Sequence, residues 1–118
     1  MTKNRSDIGK SSRAKGKRGE LEVAHQFQSA GFPEARRAQQ YSGIAEGTAD
    51  VIGVPGLHVE VKRVERLNLA AAYEQSARDA LTAGDSDIPI VVHRKSREPW
   101  MVSMSFNDFL TVWNRSQR

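Results

Sequence analysis

Hydrophobic residues recur at helical spacing after a polar start to the chain. The apolar positions are Leu21, Ala24, Phe27 and Ala30. Glu and Gln residues lie between them, and Gly31 follows the last one. This spacing predicts an amphipathic helix that begins near Arg18 and ends at Gly31.

The next third of the chain has the composition of short strands and turns. A first strand is expected in FPEARRAQQ, and the following YSGIAEGT is expected to form a loop because of its glycines and polar residues. ADVIGV and LHVEVKRV are β-branched runs of strand length. Since Pro55-Gly56 separates them, the pattern predicts a β-hairpin.

The second half of the chain predicts two further helices and two further strands. NLAAAYEQSARDALTAG is rich in alanine, starts with the capping residue Asn68 and ends at Gly84, so it predicts a helix. DIPIVVHR and PWMVSM predict strands, and FNDFLTVWN after Ser105 predicts a short closing helix with an apolar stripe. The element order α-β-β-β-α-β-β-α predicts an α/β fold in which helices flank a mixed central sheet.

Charge divides the chain into two unequal parts. Residues 1–19 hold seven Lys and Arg residues against one Asp, whereas residues 20–118 hold 11 basic and 13 acidic residues. We therefore expect a flexible basic arm over residues 1–15 and a single domain over residues 16–118. A basic arm on an acidic body suits a protein that binds nucleic acid, and a solvated tail is the alternative interpretation.

Composition also excludes several classes of protein. The chain has no cysteine, so disulfides and thiolate metal sites are excluded. The sequence contains neither an apolar run long enough to cross a membrane nor a secretory signal at its start. A cytoplasmic protein without a membrane partner is the resulting prediction.

One strand of the predicted hairpin has an unusual charged face. Side chains alternate along a strand, so His58, Glu60 and Lys62 share one face and Val59 lies on the other. An odd number of residues in the connecting loop places Asp50 on the charged face, and an even number places it among the valines. Because an unpaired carboxylate among valines would be strongly destabilising, we predict the odd loop.

Two adjacent carboxylates suggest a divalent cation, since a cation relieves their mutual repulsion. Asp50, Glu60 and the backbone carbonyl of Val61 would supply oxygen ligands for Mg²⁺, and Mn²⁺ is expected to substitute. Such a cation polarises a phosphodiester and activates a bound water, while Lys62 would position that water or stabilise negative charge. The alternative is a solvent-exposed sheet face with ordinary cross-strand ion pairs.

The combination of Glu20 on the first helix, Asp50 on one strand and Glu60-Val61-Lys62 on the next resembles the PD-(D/E)xK nuclease superfamily. GKRGELEVAHQFQSAGF, ADVIG and HVEVK together resemble the archaeal-type and phage Holliday junction resolvases over roughly residues 16–104. The resemblance implies a restriction-endonuclease-like αβββαβ core. The proline that usually precedes the first Asp of the motif is Ala49 here.

The same resemblance implies the function. It implies a Mg²⁺-dependent endonuclease, usually a homodimer, that cleaves branched DNA such as four-way junctions in recombination and repair. Asp50 and Glu60 would be metal ligands, Lys62 the catalytic lysine, and Glu20 an outer-shell or second-metal carboxylate. Ser42 and Gln75 lie where related nucleases carry further functional residues.

Basic residues near the charged face are the expected DNA contacts, because arginine and lysine bind phosphates. They are Lys15, Lys17, Arg18, Arg36, Arg37, Arg63 and Arg66. Two other functions remain open. One is a related nuclease that acts on flaps, mismatches or duplex DNA in restriction or repair, and the other is a non-catalytic DNA-binding subunit.

Overall fold

Three helices and seven strands follow one another in the part of the chain that is described here. The computed structural model describes residues 5–41, 44–45, 49–84 and 86–117. The helices are α1 (Arg5–Ser29), α2 (Leu69–Thr82) and α3 (Phe106–Ser116). The strands are β1 (Arg36–Arg37), β2 (Gln40–Tyr41), β3 (Ile44–Ala45), β4 (Val51–Ile52), β5 (Leu57–Arg63), β6 (Ile88–Arg94) and β7 (Met101–Ser103).

Five of the strands form one mixed sheet. Its order is β1-β4-β5-β6-β7, in which β5 and β6 are parallel and the other neighbours are antiparallel. The parallel pair is connected through α2, as parallel strands require a crossover. The predicted α/β architecture with a mixed sheet and flanking helices is therefore confirmed. No helix among the described residues is both long enough and apolar enough to cross a membrane.

The hydrophobic core lies between α1 and one face of the sheet. Val23 and Ala24 of α1 pack with Val59, Val61 and neighbouring apolar residues of the sheet. On the opposite face, α2 turns Ala72, Ser76 and Ala80 toward β5 and β6. Since strand residues alternate between the two faces, the even-numbered residues of β5 lie beneath α2.

Two stretches differ from what the sequence predicted. Residues 5–15 are helical and continue α1, whereas the composition predicted a flexible arm there. This part of α1 is rich in Lys, Arg and Ser and has no apolar stripe, so hydrophobic periodicity could not reveal it. The second difference is the small antiparallel pair of β2 and β3, in which Tyr41, Ile44 and Ala45 belong to the segment expected to be a loop.

Gly53 allows the backbone before β1 to lie close to the turn that follows β4. Its φ angle is +83°, and a Cβ atom at this position would lie 2.1 Å from the carbonyl oxygen of Glu34. No other residue has both the freedom for this backbone conformation and the lack of a side chain that this contact needs. The glycine thereby holds the β1 side of the sheet close to the β4–β5 hairpin.

Two glycines of α1 are expected to respond differently to alanine. A Cβ atom on Gly16 would meet nothing within 4 Å, whereas one on Gly19 would lie 3.2 Å from Cβ of Arg63. Gly16→Ala should therefore stabilise the protein by about 0.5–1 kcal/mol through helix propensity alone. Gly19→Ala should gain less, or lose stability, because α1 must move away from the sheet. Urea unfolding measures both changes, and equal gains would contradict the close packing at Gly19.

Candidate active site

The β4–β5 hairpin places Asp50 beside Glu60. Val51 pairs with Val59 in the antiparallel ladder, and this register places Asp50 opposite Glu60. The Asp50 N–H donates to the Val59 carbonyl at 2.8 Å, and Oδ2 of Asp50 accepts the Val61 N–H, also at 2.8 Å. The register predicted from the cost of burying Asp50 among valines is confirmed.

Glu60 is a buried carboxyl with incomplete hydrogen bonding. Only 4% of the residue is exposed, and Oε2 has no hydrogen-bond partner among the described residues. Burial, followed by the negative charge of Asp50, raises the pKa of Glu60 to about 7, while Lys62 opposes the rise. A hydrogen bond between the two carboxyl groups also favours the protonated form of Glu60. The protonated form of Glu60 is therefore favoured below about pH 7.

Lys62 provides the positive charge next to this pair. Its Nζ lies 3.6 Å from Oε1 of Glu60, and about a third of its side chain (32%) is exposed. It follows Glu60 by two residues on β5, so both side chains emerge on the same face. The partly exposed ammonium group therefore lies at the solvent side of the carboxyl pair.

Glu20 joins the cluster from α1. The Nε of Arg37 in β1 donates to Oε2 of Glu20 at 2.6 Å. Burial is the main factor that raises the pKa of Glu20; the charge of Asp50 also raises it, whereas Arg37 and Lys62 lower it. These electrostatic effects place Glu20 near both Asp50 and Lys62. Four elements of the fold, α1, β1, β4 and β5, thus contribute to one charged cluster.

Glu22 occupies a different environment from Glu20. Its carboxylate accepts hydrogen bonds from Trp100 Nε1 at 3.1 Å and from Arg94 at 3.2 Å, and it lies 3.6 Å from Arg63. Arg94 also stacks on Trp100, with 5.2 Å between the guanidinium carbon and the ring centroid. Glu22 therefore attaches α1 to β5, to β6 and to Trp100, whereas Glu20 pairs with Arg37 of β1.

Ser42 and Gln75 are the other two residues that the sequence predicted to be functional. Ser42 lies outside the described residues. Gln75 is exposed on α2, one turn before Asp79. Both lie on the same flank of the helix, beside the buried stripe of Ala72 and Ser76. The charge of Asp79 contributes to the raised pKa of Glu60, so this flank borders the carboxyl pair.

The predicted DNA-binding residues divide by their contacts. Arg37 is held by Glu20, and only 17% of the Arg63 side chain is exposed beside Glu22. Lys15 makes a 3.1 Å ion pair with Glu65 in the segment after β5. The remaining four are exposed at the surface and are Lys17, Arg18, Arg36 and Arg66.

No family model, no curated protein and no solved structure matches this chain significantly. The resemblance to PD-(D/E)xK nucleases therefore stays a prediction, and the chemistry of the cluster has to be inferred from its own residues.

The donor atoms of the cluster suit a cation that keeps much of its hydration. Among the described residues, no group of three or more His, Cys, Asp and Glu side chains is arranged to hold a metal ion. A site here would therefore consist of Asp50, Glu60, backbone oxygen such as the Val61 carbonyl, and water. Mg²⁺ accepts such a set, since it commonly binds through one or two carboxylates plus water and phosphate. The unpartnered Oε2 of Glu60 is the atom that such a cation would satisfy.

Two residues near the cluster were not predicted from the sequence. Asp79 could have been found because it falls next to the Ala72–Ser76 stripe that turns α2 toward the sheet. His93 pairs with Lys62 in the parallel ladder, and its Nε2 lies 2.8 Å from the Ser103 hydroxyl. Burial lowers the pKa of His93, so the neutral ring is favoured. Its position depends on the β5–β6 register, which local sequence does not reveal.

Proposed function

We propose that the protein is a Mg²⁺-dependent DNA endonuclease of the PD-(D/E)xK type. The observation that carries this proposal is the hydrogen-bonded pair of half-buried Asp50 and buried Glu60, with an unpartnered oxygen on Glu60 and Lys62 at its edge. Most buried carboxylate oxygens in folded proteins have a hydrogen-bond partner, so the unpartnered Oε2 supports a ligand at this position. The same arrangement suits an oxygen-ligated cation next to a catalytic lysine.

The residues of the chain have separate roles in this proposal. Asp50 and Glu60 would hold the cation, which when bound would polarise the scissile phosphate and lower the pKa of water. Val61 keeps Asp50 oriented, because its N–H donates to Oδ2 of that carboxylate. Lys62 would orient the attacking water or stabilise negative charge on the phosphate. Glu20, held by Arg37, would act on the outer shell of the cation or at a second one.

We further propose a four-way DNA junction as the substrate. The support for this finer assignment is the sequence resemblance of the Gly16–Phe32 segment and the hairpin to junction resolvases. Exposed Lys17 adds to it, because this residue lies one turn before Glu20 on the same side of α1 and would contact phosphates beside the cluster. Such contacts position a DNA backbone and carry no sequence information, which suits recognition by shape.

The test is cleavage of a substrate panel. Purified protein is incubated with a synthetic four-way junction, a flap, a mismatch and linear duplex, each with Mg²⁺, with Mn²⁺ and with EDTA. We expect paired, symmetric nicks in the junction that disappear in EDTA. Metal-dependent cleavage of flap, mismatch or duplex DNA alone would retain the nuclease and overturn the junction assignment. Binding without cleavage of any substrate would overturn the enzyme and favour a non-catalytic DNA-binding subunit.

A further inference from the structure

Helix α3 carries an apolar stripe that nothing in the described chain covers. None of its residues is buried, although the stripe contains four large apolar side chains. Their exposed fractions are 71% for Phe106, 44% for Phe109, 39% for Leu110 and 54% for Trp113. The ring of Phe109 stacks on those of Phe106 and Trp113, with centroid distances of 6.4 and 6.2 Å. An exposed aromatic row of this size is unusual for a monomer and indicates an interaction surface.

A groove on the same chain has the complementary character. It encloses about 390 Å³ between the C-terminal part of α1 and strands β6 and β7. Phe27 and Ala30 form its α1 wall, and Val92, Met101 and Val102 form part of its sheet wall. Met101 and Val102 are more than half exposed although they are apolar. Helix α1 covers β4 and β5, so this end of the core face lacks a covering helix.

We propose that the groove receives helix α3 of a second copy of this chain, and that the exchange is reciprocal. Each chain supplies one apolar helix and one apolar groove. In a two-fold symmetric dimer, the helix of each copy would cover the groove of the other. The groove is lined without any residue of its own α3, so the helix is not docked in its own chain. The proposal concerns this interface and does not rest on the nuclease activity.

Chain connectivity favours exchange over docking within one chain. Only Met104 and Ser105 separate β7 from α3, and Ser105 caps the helix by accepting the Asp108 N–H at 3.0 Å. The cap fixes the direction in which α3 leaves the sheet. Since Met101 and Val102 lie directly before this link, helix and groove adjoin as one continuous surface. A two-fold axis beside β7 can therefore bring each helix to the groove of the other copy.

The area of the proposed contact reaches that of stable dimers. A fully buried aromatic side chain removes about 150–250 Å² from solvent, so the exposed fractions of Phe106, Phe109 and Trp113 correspond to roughly 350 Å² per helix. Two helices and the matching area of two grooves bury roughly 1,400 Å² in total, within the range of specific interfaces. Leu110 and Met101 add to this value.

The test is the molar mass of the protein in solution, measured by light scattering after size exclusion. We expect the wild-type chain to elute with twice its 13.1 kDa mass. Trp113→Glu in the helix and Ala30→Glu in the groove should each give monomers. Both positions are exposed, so the fold should survive, and circular dichroism with urea unfolding checks this. Thr111→Glu on the opposite side of α3 and Ser29→Glu outside the groove are the controls that should remain dimeric.

Mixing the two monomeric variants separates exchange from other arrangements. A mixed pair keeps one intact contact, between the wild-type helix of the Ala30→Glu chain and the wild-type groove of the Trp113→Glu chain. We therefore expect heterodimers in the mixture although neither variant dimerises alone. A monomeric wild-type protein would overturn the proposal. So would a dimer broken by Trp113→Glu but not by Ala30→Glu, since that result indicates helix-to-helix packing.

Discussion

Asp50→Asn and Glu60→Gln are each expected to lower the rate of DNA cleavage on the order of 10³-fold or more, because each removes a negative ligand from the proposed cation site. Binding of the same DNA in EDTA should change little, since these carboxylates repel phosphate and make no favourable contact with it. The measurements are single-turnover cleavage in Mg²⁺ and a binding titration without metal.

Structural side effects of these two changes should be small. Asn at position 50 keeps an oxygen that can accept the Val61 N–H, which is the contact that Asp50 makes in the fold. Gln at position 60 keeps the volume of the buried side chain. Glu74→Gln on the exposed side of α2 is the matched control, because it removes a carboxylate outside the cluster. Cleavage at the wild-type rate by either site variant would contradict the assigned site.

The register of the site could be predicted from the sequence because one energetic term dominated it. A shift of one residue in the β4–β5 pairing would have moved Asp50 into the valine face, where its carboxylate would lack partners. The alternation of His58, Glu60 and Lys62 with Val59 and Val61 then determined which side chains share a face. Both features are local, so neighbouring residues were sufficient to predict them.

Other features of the site depend on contacts between distant segments. The pairing of Arg37 with Glu20 requires the packing of α1 against β1, and the sequence predicted Arg37 as a phosphate ligand instead. Arg63 was predicted as a DNA contact on the same grounds, yet the fold places it beside Glu22, where α1 crosses the sheet at Gly19. A charged side chain in the sequence does not reveal whether its partner is solvent, DNA or another part of the chain.

What the sequence could not predict about the helices has a similar origin. Periodicity detected the part of α1 that covers the core, because Val23, Ala24 and Phe27 pack there. It could not detect residues 5–15, whose helix has no apolar side to bury. For α3 the periodicity correctly predicted a helix with an apolar stripe, and the stripe from Phe106 to Trp113 remains exposed. An apolar stripe predicts that a helix has a partner and does not identify which chain provides it.

The second large effect is expected in the pH dependence of stability, and it follows from the raised pKa of Glu60. The pKa of Glu60 is about 7 in the fold, against an ordinary value of 4.5. Between these values the folded protein binds more protons than the unfolded chain, so this contribution is fully present below pH 4.5 and is lost as pH rises through 7. The difference corresponds to at most roughly 3 kcal/mol.

Thermal unfolding in EDTA from pH 5 to pH 8 measures this contribution when the wild-type protein is compared with Glu60→Gln, which cannot titrate at that position. We expect the wild-type melting temperature to fall relative to that of the variant across this interval.

Saturating Mg²⁺ should restore the melting temperature of the wild-type protein at pH 8 and have little effect on Glu60→Gln, because the cation would replace the proton held by the carboxyl pair. The apparent Mg²⁺ affinity should accordingly weaken below pH 7. If the melting temperatures of the two proteins in EDTA change equally with pH, the pKa of Glu60 is not raised. If Mg²⁺ stabilises both proteins, the cation binds elsewhere.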